Sequence, residues 1–211
     1  MLQDLQDTQL GERQKRILSA AERCFVRAGF HRTTMQDVAA EAGMSPGNLY
    51  RYFPSKDAIV AGLTERDRSR LVADFEAFDT TDFMASFARL GRKHFEEEPR
   101  ERAILCLEIW AESARNPAFA ALCAEFERDV VRRLTDVLQG GQERGHIAPN
   151  VDPQAVATII MTLGNGLFVR RAIAPDFDAA REVPHVINLI GAMLGGAVPL
   201  DRQADMAEAV S

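Results

Sequence analysis

The chain lacks the cysteine content and spacing that disulfide scaffolds and zinc sites require. Of its 211 residues only three are cysteines (Cys24, Cys106 and Cys123), and no two of them form a Cys-x-x-Cys motif. This odd and scattered set fits a reduced, cytoplasmic protein. Cys24 falls on the apolar stripe of a predicted helix, so we expect it to be a buried structural thiol.

Catalytic and metal-binding patterns are also missing from the sequence. The four histidines, His31, His94, His146 and His185, have no partners at metal-ligand spacing. There is no nucleophile elbow and no glycine-rich phosphate loop. We therefore expect a protein that is not an enzyme and that holds neither a metal nor a cofactor.

Long apolar runs and alternating β patterns are absent as well. No apolar run has the length needed to cross a bilayer, and the N-terminal segment MLQDLQDTQLGERQKR has no apolar stretch behind its charges. We expect neither a membrane span nor a secretory signal. The composition, 46% hydrophobic and 27% charged, is typical of a folded globular protein.

The negative charge of the whole chain conceals a basic N-terminal segment. The net charge is −6, but residues 11–56 carry eight Lys and Arg against four Asp and Glu, a balance of +4. The remainder carries 17 basic and 27 acidic residues, a balance of −10. A basic face on an acidic body can still bind phosphate, because salt screens charges beyond about 8 Å.

Helical periodicity runs through the chain and predicts an all-α fold of about nine helices. Three residues of the type that caps a first helical turn, Thr34, Ser45 and Ser55, precede consecutive predicted helices. We expect the polar ends, 1–10 and 201–211, to fray. The predicted helices are 12–28, 35–42, 46–52, 56–78, 80–97, 101–114, 117–144, 152–173 and 180–196.

The segment Phe30–Lys56 carries the most informative pattern. Two short capped helices are separated by a tight turn at 42–44, and Leu49 and Phe53 can pack back on the preceding helices. This is the layout of a helix-turn-helix, whose second helix lies in the DNA major groove. Lys56 and the free N–H groups that start the next helix would hold a phosphate. The outward face of the second helix would present Pro46, Gly47, Asn48, Tyr50, Arg51 and Tyr52.

The same stretch resembles a known family. The sequence TTMQDVAAEAGMSPGNLYRYFPSKDAIV is similar to the DNA-binding signature of the TetR/AcrR family of one-component repressors, and the helix ending Ala21–Phe30 looks like that family too. The resemblance implies base contacts for Pro46, Gly47 and Asn48. It implies phosphate contacts for Thr34, Ser45, Tyr50, Tyr52 and Lys56.

An alternative interpretation treats the same side chains as ordinary packing and surface residues. Core packing is favoured for Leu49 and Phe53. A DNA role is favoured for Tyr50, Tyr52 and Lys56, because a short recognition helix leaves them on the exposed side. Arg32 and Arg51 fit either role equally.

The sequence and the resemblance together predict two domains. Residues 11–57 would form a three-helix, helix-turn-helix DNA-binding domain, and residues 58–200 a helical domain for ligand binding and dimerisation. The second domain has aromatic and aliphatic side chains around a few polar groups, as a pocket for an apolar or aromatic ligand needs. Packing of a helical bundle requires the same stripes and is the alternative for each. The candidate ligand residues are Phe87, His94, Ile109, Trp110, Phe126, Met161, Asn165 and Phe168.

The last two predicted helices are apolar on more than one face, as in a helix that packs on both its own domain and a second subunit. The resemblance implies that this pair forms a four-helix dimer interface. Burial in a large monomer core is the alternative. The candidate interface residues are Ile160, Leu163, Leu167, Val186, Leu189, Ile190 and Met193.

The predicted protein is a cytoplasmic, ligand-responsive transcriptional regulator. Its predicted partners are a double-stranded DNA operator, a small-molecule effector and a second copy of the chain, but not a membrane. We expect a repressor that binds a palindromic operator as a dimer and is released by an apolar or aromatic inducer. Two alternatives are a helical small-molecule-binding protein or enzyme with a vestigial DNA-binding motif, and a protein-interaction module.

Overall fold

The computed structural model describes the backbone of residues 2–198 and the side chains of residues 11–198. Within that part of the chain there are nine α-helices and no strand, which confirms the predicted all-α fold. A π-helical turn, Lys93–Glu97, continues the fifth helix. The helices are α1 (Leu2–Ala28), α2 (Met35–Glu41), α3 (Pro46–Tyr50), α4 (Lys56–Glu76), α5 (Phe83–Arg92), α6 (Arg100–Ser113), α7 (Pro117–Glu143), α8 (Pro153–Ile173) and α9 (Ala179–Leu194).

The predicted starts of two helices need correction. α1 begins at Leu2, so residues 2–10 are helical rather than frayed. This stretch contains no Gly or Pro, and its Leu and Gln residues favour a helix. The predicted helix 80–97 begins only at Phe83 and widens at Lys93 into the π-helical turn. The expected fraying of 201–211 lies outside the described residues.

The π-helical turn is stabilised by a side chain from α8. The guanidinium of Arg171 donates hydrogen bonds to the backbone carbonyls of Phe95, Glu96 and Glu98. In return, Arg100 donates to the carbonyls of Arg171 (3.2 Å) and Ala172 (2.6 Å) near the end of α8. These contacts satisfy carbonyls that have no partner within their own helix.

The described chain divides into two compact units. The first contains the residues up to Ser69 together with Glu101–Ala124, and the second contains Arg70–Arg100 and the residues from Glu125 onward. The two units are defined by which residues pack together, not by function. The functional division into domains 11–57 and 58–200 stays a prediction, and residues 199 and 200 lie outside the described part of the chain.

The core of the first unit is built around α1, α2 and α3. Leu49 and Phe53 lie in one buried cluster with Phe25 and Val38, as the sequence predicted. Cys24 is buried in the same cluster, which confirms its structural placement.

The core of the second unit draws on α5, α7, α8 and α9. The sequence predicted no membrane span, because no apolar run was expected to be long enough to cross a bilayer. The length and composition of α8 would nevertheless allow this helix to cross one. A single helix of this kind is weak evidence for a span, since core helices of globular proteins share these properties. Val156, Ala157 and Leu167 of α8 are buried within the chain.

Candidate nucleic-acid interface

α2 begins with a capping box at Thr34, one of the capping residues that the sequence predicted. The Oγ1 of Thr34 accepts a hydrogen bond from the N–H of Asp37 at 3.2 Å, and the Asp37 carboxylate accepts one from the N–H of Thr34 at 2.8 Å. The Thr34 hydroxyl also donates to this carboxylate at 2.7 Å. These hydrogen bonds fix the start of α2 next to the helix-turn-helix turn.

The turn after α2 depends on Gly43. Its φ of +65° lies in the left-handed region that side chains disfavour. Its N–H donates to the Ala40 carbonyl at 3.0 Å, and the N–H of Met44 donates to the Ala39 carbonyl at 2.9 Å. The chain thereby leaves α2 and reaches Ser45 within a few residues.

α3 is a short helix with one buried anchor. The Oγ of Ser45 accepts the N–H of Asn48 at 3.3 Å, and Pro46 occupies the first helical position. Leu49 is fully buried, whereas Tyr50 is 46% exposed. The helix ends at Tyr50, two residues earlier than predicted.

The outward face of α3 is open to solvent. Asn48, Tyr52 and Lys56 are half-buried, and none of the predicted DNA-contact residues is fully buried. A row of exposed side chains on a short helix is the geometry that a major groove accepts. The exposed members of the predicted set are Thr34, Ser45, Pro46, Gly47, Tyr50 and Arg51.

Two predicted phosphate ligands have partners within the chain. The hydroxyl of Tyr52 accepts a hydrogen bond from Arg13 Nη1 at 3.2 Å, and this bond raises the pKa of Arg13. Lys56 Nζ donates to the Phe30 carbonyl at 2.7 Å and lies 4.3 Å from the centroid of the Phe30 ring. The resemblance implied a phosphate for Lys56 and could not show Phe30, which lies 26 positions away.

Part of the basic charge of this segment is used to join α1 to α2. Glu41 forms ion pairs with Arg23 at 2.7 Å and with Arg27 at 3.2 Å. Hydrogen bonds from Arg23 and then Arg27 lower the pKa of Glu41. The remaining basic residues therefore supply the field that a DNA phosphate would meet.

The candidate ligand residues fall in both compact units. Ile109 and Trp110 belong to the first, and Ile109 packs against its core. The other six belong to the second. Of these, Phe87 is buried, and Phe126 and Met161 pack against the core, which favours the packing alternative for all three.

His94, Asn165 and Phe168 are each half-buried. His94 Nε2 lies 3.1 Å from Asp74 Oδ2, a partner that the sequence pattern did not reveal. Burial lowers the pKa of His94, although the Asp74 charge opposes this shift. The Phe168 ring meets Phe95 edge-on, with centroids 5.3 Å apart.

The candidate dimer residues differ in how much of each side chain is exposed to solvent. Leu167, Ile190 and Met193 are buried within a single chain, so they have little area left for a second chain to cover. Leu189 is 48% exposed. The other three, Ile160, Leu163 and Val186, are half-buried and pack against the core of the second unit.

Sequence comparison identifies the family of the chain. Residues 17–63 match the family described as bacterial regulatory proteins, tetR family, and residues 91–195 match the BetI-type transcriptional repressor, C-terminal family. The chain belongs to the TetR family of transcriptional regulators.

Other TetR-family proteins are similar along most of the chain. The HTH-type transcriptional regulator UidR of Escherichia coli (strain K12) is 29% identical over 200 residues, which cover 92% of this chain and 97% of UidR. RutR of the same strain is 28% identical over 153 residues, 70% of each chain. The structure of Salmonella enterica GusR has 25% sequence identity and a TM-score of 0.74, covering 87% of this chain and 95% of GusR. This TetR-family chain is thus a helix-turn-helix transcriptional regulator, as the sequence predicted.

Proposed function

We propose that this TetR-family regulator is a cytoplasmic repressor that binds a palindromic operator as a homodimer. The proposal is carried by the geometry of α3, which buries Leu49 and leaves Pro46, Gly47 and Tyr50 exposed to solvent. In a symmetric dimer two copies of α3 would enter successive major grooves, about one helical turn apart.

The DNA contacts would divide into two kinds. Pro46, Gly47 and Asn48 would lie nearest the base edges, since Gly47 has open space around its Cα and permits close approach. The phosphates would be held by Thr34, Ser45, Tyr50, Arg51 and Tyr52. Lys56 binds the Phe30 carbonyl with one N–H of its ammonium and would offer a remaining N–H to a phosphate.

The dimer would form through α8 and α9. Leu189 is an exposed large apolar side chain on α9, and Thr158, Thr162 and Gly166 form an exposed row of small residues on α8. Small side chains allow helices from two chains to approach closely, and Leu189 supplies apolar area to bury.

The effector would be a small apolar or aromatic molecule bound in the ligand domain. His94 and Asn165 supply polar groups, and the ring of Phe168 an apolar wall. α4 would carry the effect of the ligand, because this helix spans the predicted domain boundary at residues 57 and 58. The effector would release DNA by its higher affinity for the form that does not fit the operator.

The test of DNA binding uses fluorescence anisotropy with a labelled duplex from the region upstream of the gene. We expect wild-type binding to weaken steeply as salt rises, because phosphate contacts release counterions. Tyr50→Ala should weaken binding by about tenfold or more without lowering the melting temperature, because Tyr50 lies outside the core. Met84→Ala, at another exposed apolar residue, is the control. DNA affinity that does not change with salt concentration, or that is the same in Tyr50→Ala and the wild type, would contradict the proposed DNA-binding face.

The dimer is tested separately by sedimentation velocity. Leu189→Glu should shift the protein toward monomer, since it places a charge on an apolar interface. Gln139→Glu adds the same charge on the exposed surface of α7 and should leave the dimer intact. If the Leu189→Glu variant sediments as a dimer, the interface does not include Leu189.

A further inference from the structure

The turn between α1 and α2, Gly29–Arg32, is held by ionised side chains from two other helices. The N–H of Phe30 donates to Glu108 Oε2 of α6 at 2.9 Å. The carbonyl of Phe30 accepts from Lys56 Nζ of α4 at 2.7 Å. A carboxylate and an ammonium thus bind the two backbone polar groups of one residue, and we call this arrangement the Phe30 clasp.

The neighbouring side chains strengthen the same attachment. The buried ring of Phe30 packs edge-on against Phe119 of α7, with centroids 5.1 Å apart. His31 Nε2 lies 2.7 Å from Oε2 of Glu112, a buried carboxylate one helical turn beyond Glu108. α6 therefore presents two acidic side chains to consecutive residues of one turn.

The position of this turn determines where α2 begins. The capping residue Thr34 follows the turn by two residues, and α3 follows α2 through the tight turn at Gly43. Hydrogen bonds to ionised groups are about twice as strong as neutral ones. The clasp can therefore fix α2 and α3 against α6 within the first compact unit.

We propose that Glu108 and Lys56 are positioning residues for operator binding, acting through the Phe30 clasp. This inference rests on the proposed function. When the clasp is broken, α2 and α3 sample orientations that do not match the groove, and the apparent affinity falls with the fraction of molecules that remain competent. Lys56 then affects DNA binding through Phe30, in addition to any phosphate that its remaining N–H group binds.

Substitution of Glu108 separates two roles of this side chain, because a positioning role and a purely electrostatic role predict opposite changes in DNA affinity. DNA is an anion, so the loss of an acidic residue should leave binding unchanged or strengthen it through the general field. Loss of a positioning residue should weaken it. Glu101 also lies on α6 and is exposed, so Glu101→Gln removes the same charge as a matched control.

The experiment measures operator affinity against salt for the full-length variants Glu108→Ala, Glu108→Gln and Lys56→Met, at temperatures well below each melting transition. We expect Glu108→Ala to bind about tenfold more weakly with an unchanged salt slope. Glu108→Gln should recover part of the affinity, because its amide oxygen still accepts the Phe30 N–H. Glu101→Gln should bind as tightly as the wild type or more tightly.

Two results would overturn the proposal. One is a Glu108→Ala variant that binds like the wild type. The other is a Lys56→Met variant that binds the operator as tightly as the wild type at every salt concentration.

Hydrogen exchange at the Phe30 amide provides a readout that is independent of DNA. Exchange should accelerate at this amide in Glu108→Ala, with the core amides of α1 unchanged. Unchanged protection at Phe30 would also refute the clasp. If the wild type fails to bind the duplex, the proposed function fails, whereas the exchange result still reports on the clasp.

Discussion

Gly141 of α7 lies directly against the ring of Phe83 of α5. A Cβ at Gly141 would stand 2.6 Å from Phe83 Cε2 and 3.1 Å from Ile147 Cδ1. The Phe83 ring is buried and stacks with Phe87 and with His146, at centroid distances of 6.4 and 5.9 Å. These neighbours restrict the movement of the ring, so a Cβ at position 141 would overpack the second unit.

This contact predicts opposite outcomes for two neighbouring substitutions. Gly141→Ala should lower the free energy of unfolding by about 1–3 kcal/mol through overpacking. At Gly140 a Cβ would meet only the guanidinium of Arg144, an exposed side chain that can move. Gly140→Ala should be neutral or stabilise by up to about 1 kcal/mol, because alanine favours the helix. Urea unfolding measures both, and equal effects would contradict the packing argument.

A cluster of charges in the first unit predicts a second stability difference. Arg66 Nη2 pairs with Glu22 Oε2 at 2.7 Å, and Arg102 Nη2 pairs with Asp67 Oδ1 at 2.9 Å, with all four side chains largely buried. Arg66→Met should destabilise by about 3 kcal/mol, since it leaves a poorly solvated carboxylate with fewer partners. Lys15→Met breaks an exposed pair with Glu12 and should change stability by less than about 1 kcal/mol. Similar values for the two variants in urea unfolding would show that the cluster contributes little.

Two of the three free cysteines are less acidic than an exposed thiol. Burial raises the pKa of Cys106 to about 12 and also raises the pKa of Cys24. Because the thiolate is the reactive form, both should resist alkylation at pH 8 in the folded protein. Peptide mapping after iodoacetamide treatment should find them unmodified in buffer and modified in guanidinium chloride. Rapid labelling of Cys106 in the native state would contradict the burial.

The capping box of α2 predicts a pH effect at Asp37. Hydrogen bonds from the Thr34 side chain and then its backbone N–H lower the pKa of Asp37. A lowered folded-state pKa gives stability above the unfolded pKa, about 3.9, and this stability is lost as pH falls through the folded value. Thr34→Val should move the Asp37 pKa back toward its ordinary value. Carboxyl NMR titration of both proteins tests this, and an unchanged pKa in the variant would exclude the hydroxyl as the cause.

The local parts of the DNA-binding segment were predictable from sequence. The Thr34 capping box, the Gly43 turn and the buried position of Leu49 all depend on residues within four or five positions of each other. Such features follow from helical periodicity and capping chemistry, which short sequence windows contain. The end of α3 at Tyr50 was missed by two residues, as helix boundaries often are.

The ligand candidates show where sequence patterns become ambiguous. Phe87 and His94 both lie on an apolar stripe, yet Phe87 is buried in the core and His94 faces the carboxylate of Asp74. The pattern of apolar residues cannot separate these roles, because a bundle core and a pocket wall need the same side chains.

The amino-acid sequence determined by itself that the chain is helical, that a capped helix-turn-helix lies near its N-terminus, and that the family is TetR. Tertiary structure alone decided that Lys56 and Glu108 meet at Phe30, across separations of 26 and 78 positions, and that Arg171 supports a π-helical turn 76 positions away. Periodicity and capping act over one or two helical turns. Contacts between distant helices arise only when whole faces pack, so they leave no mark in a short stretch of sequence.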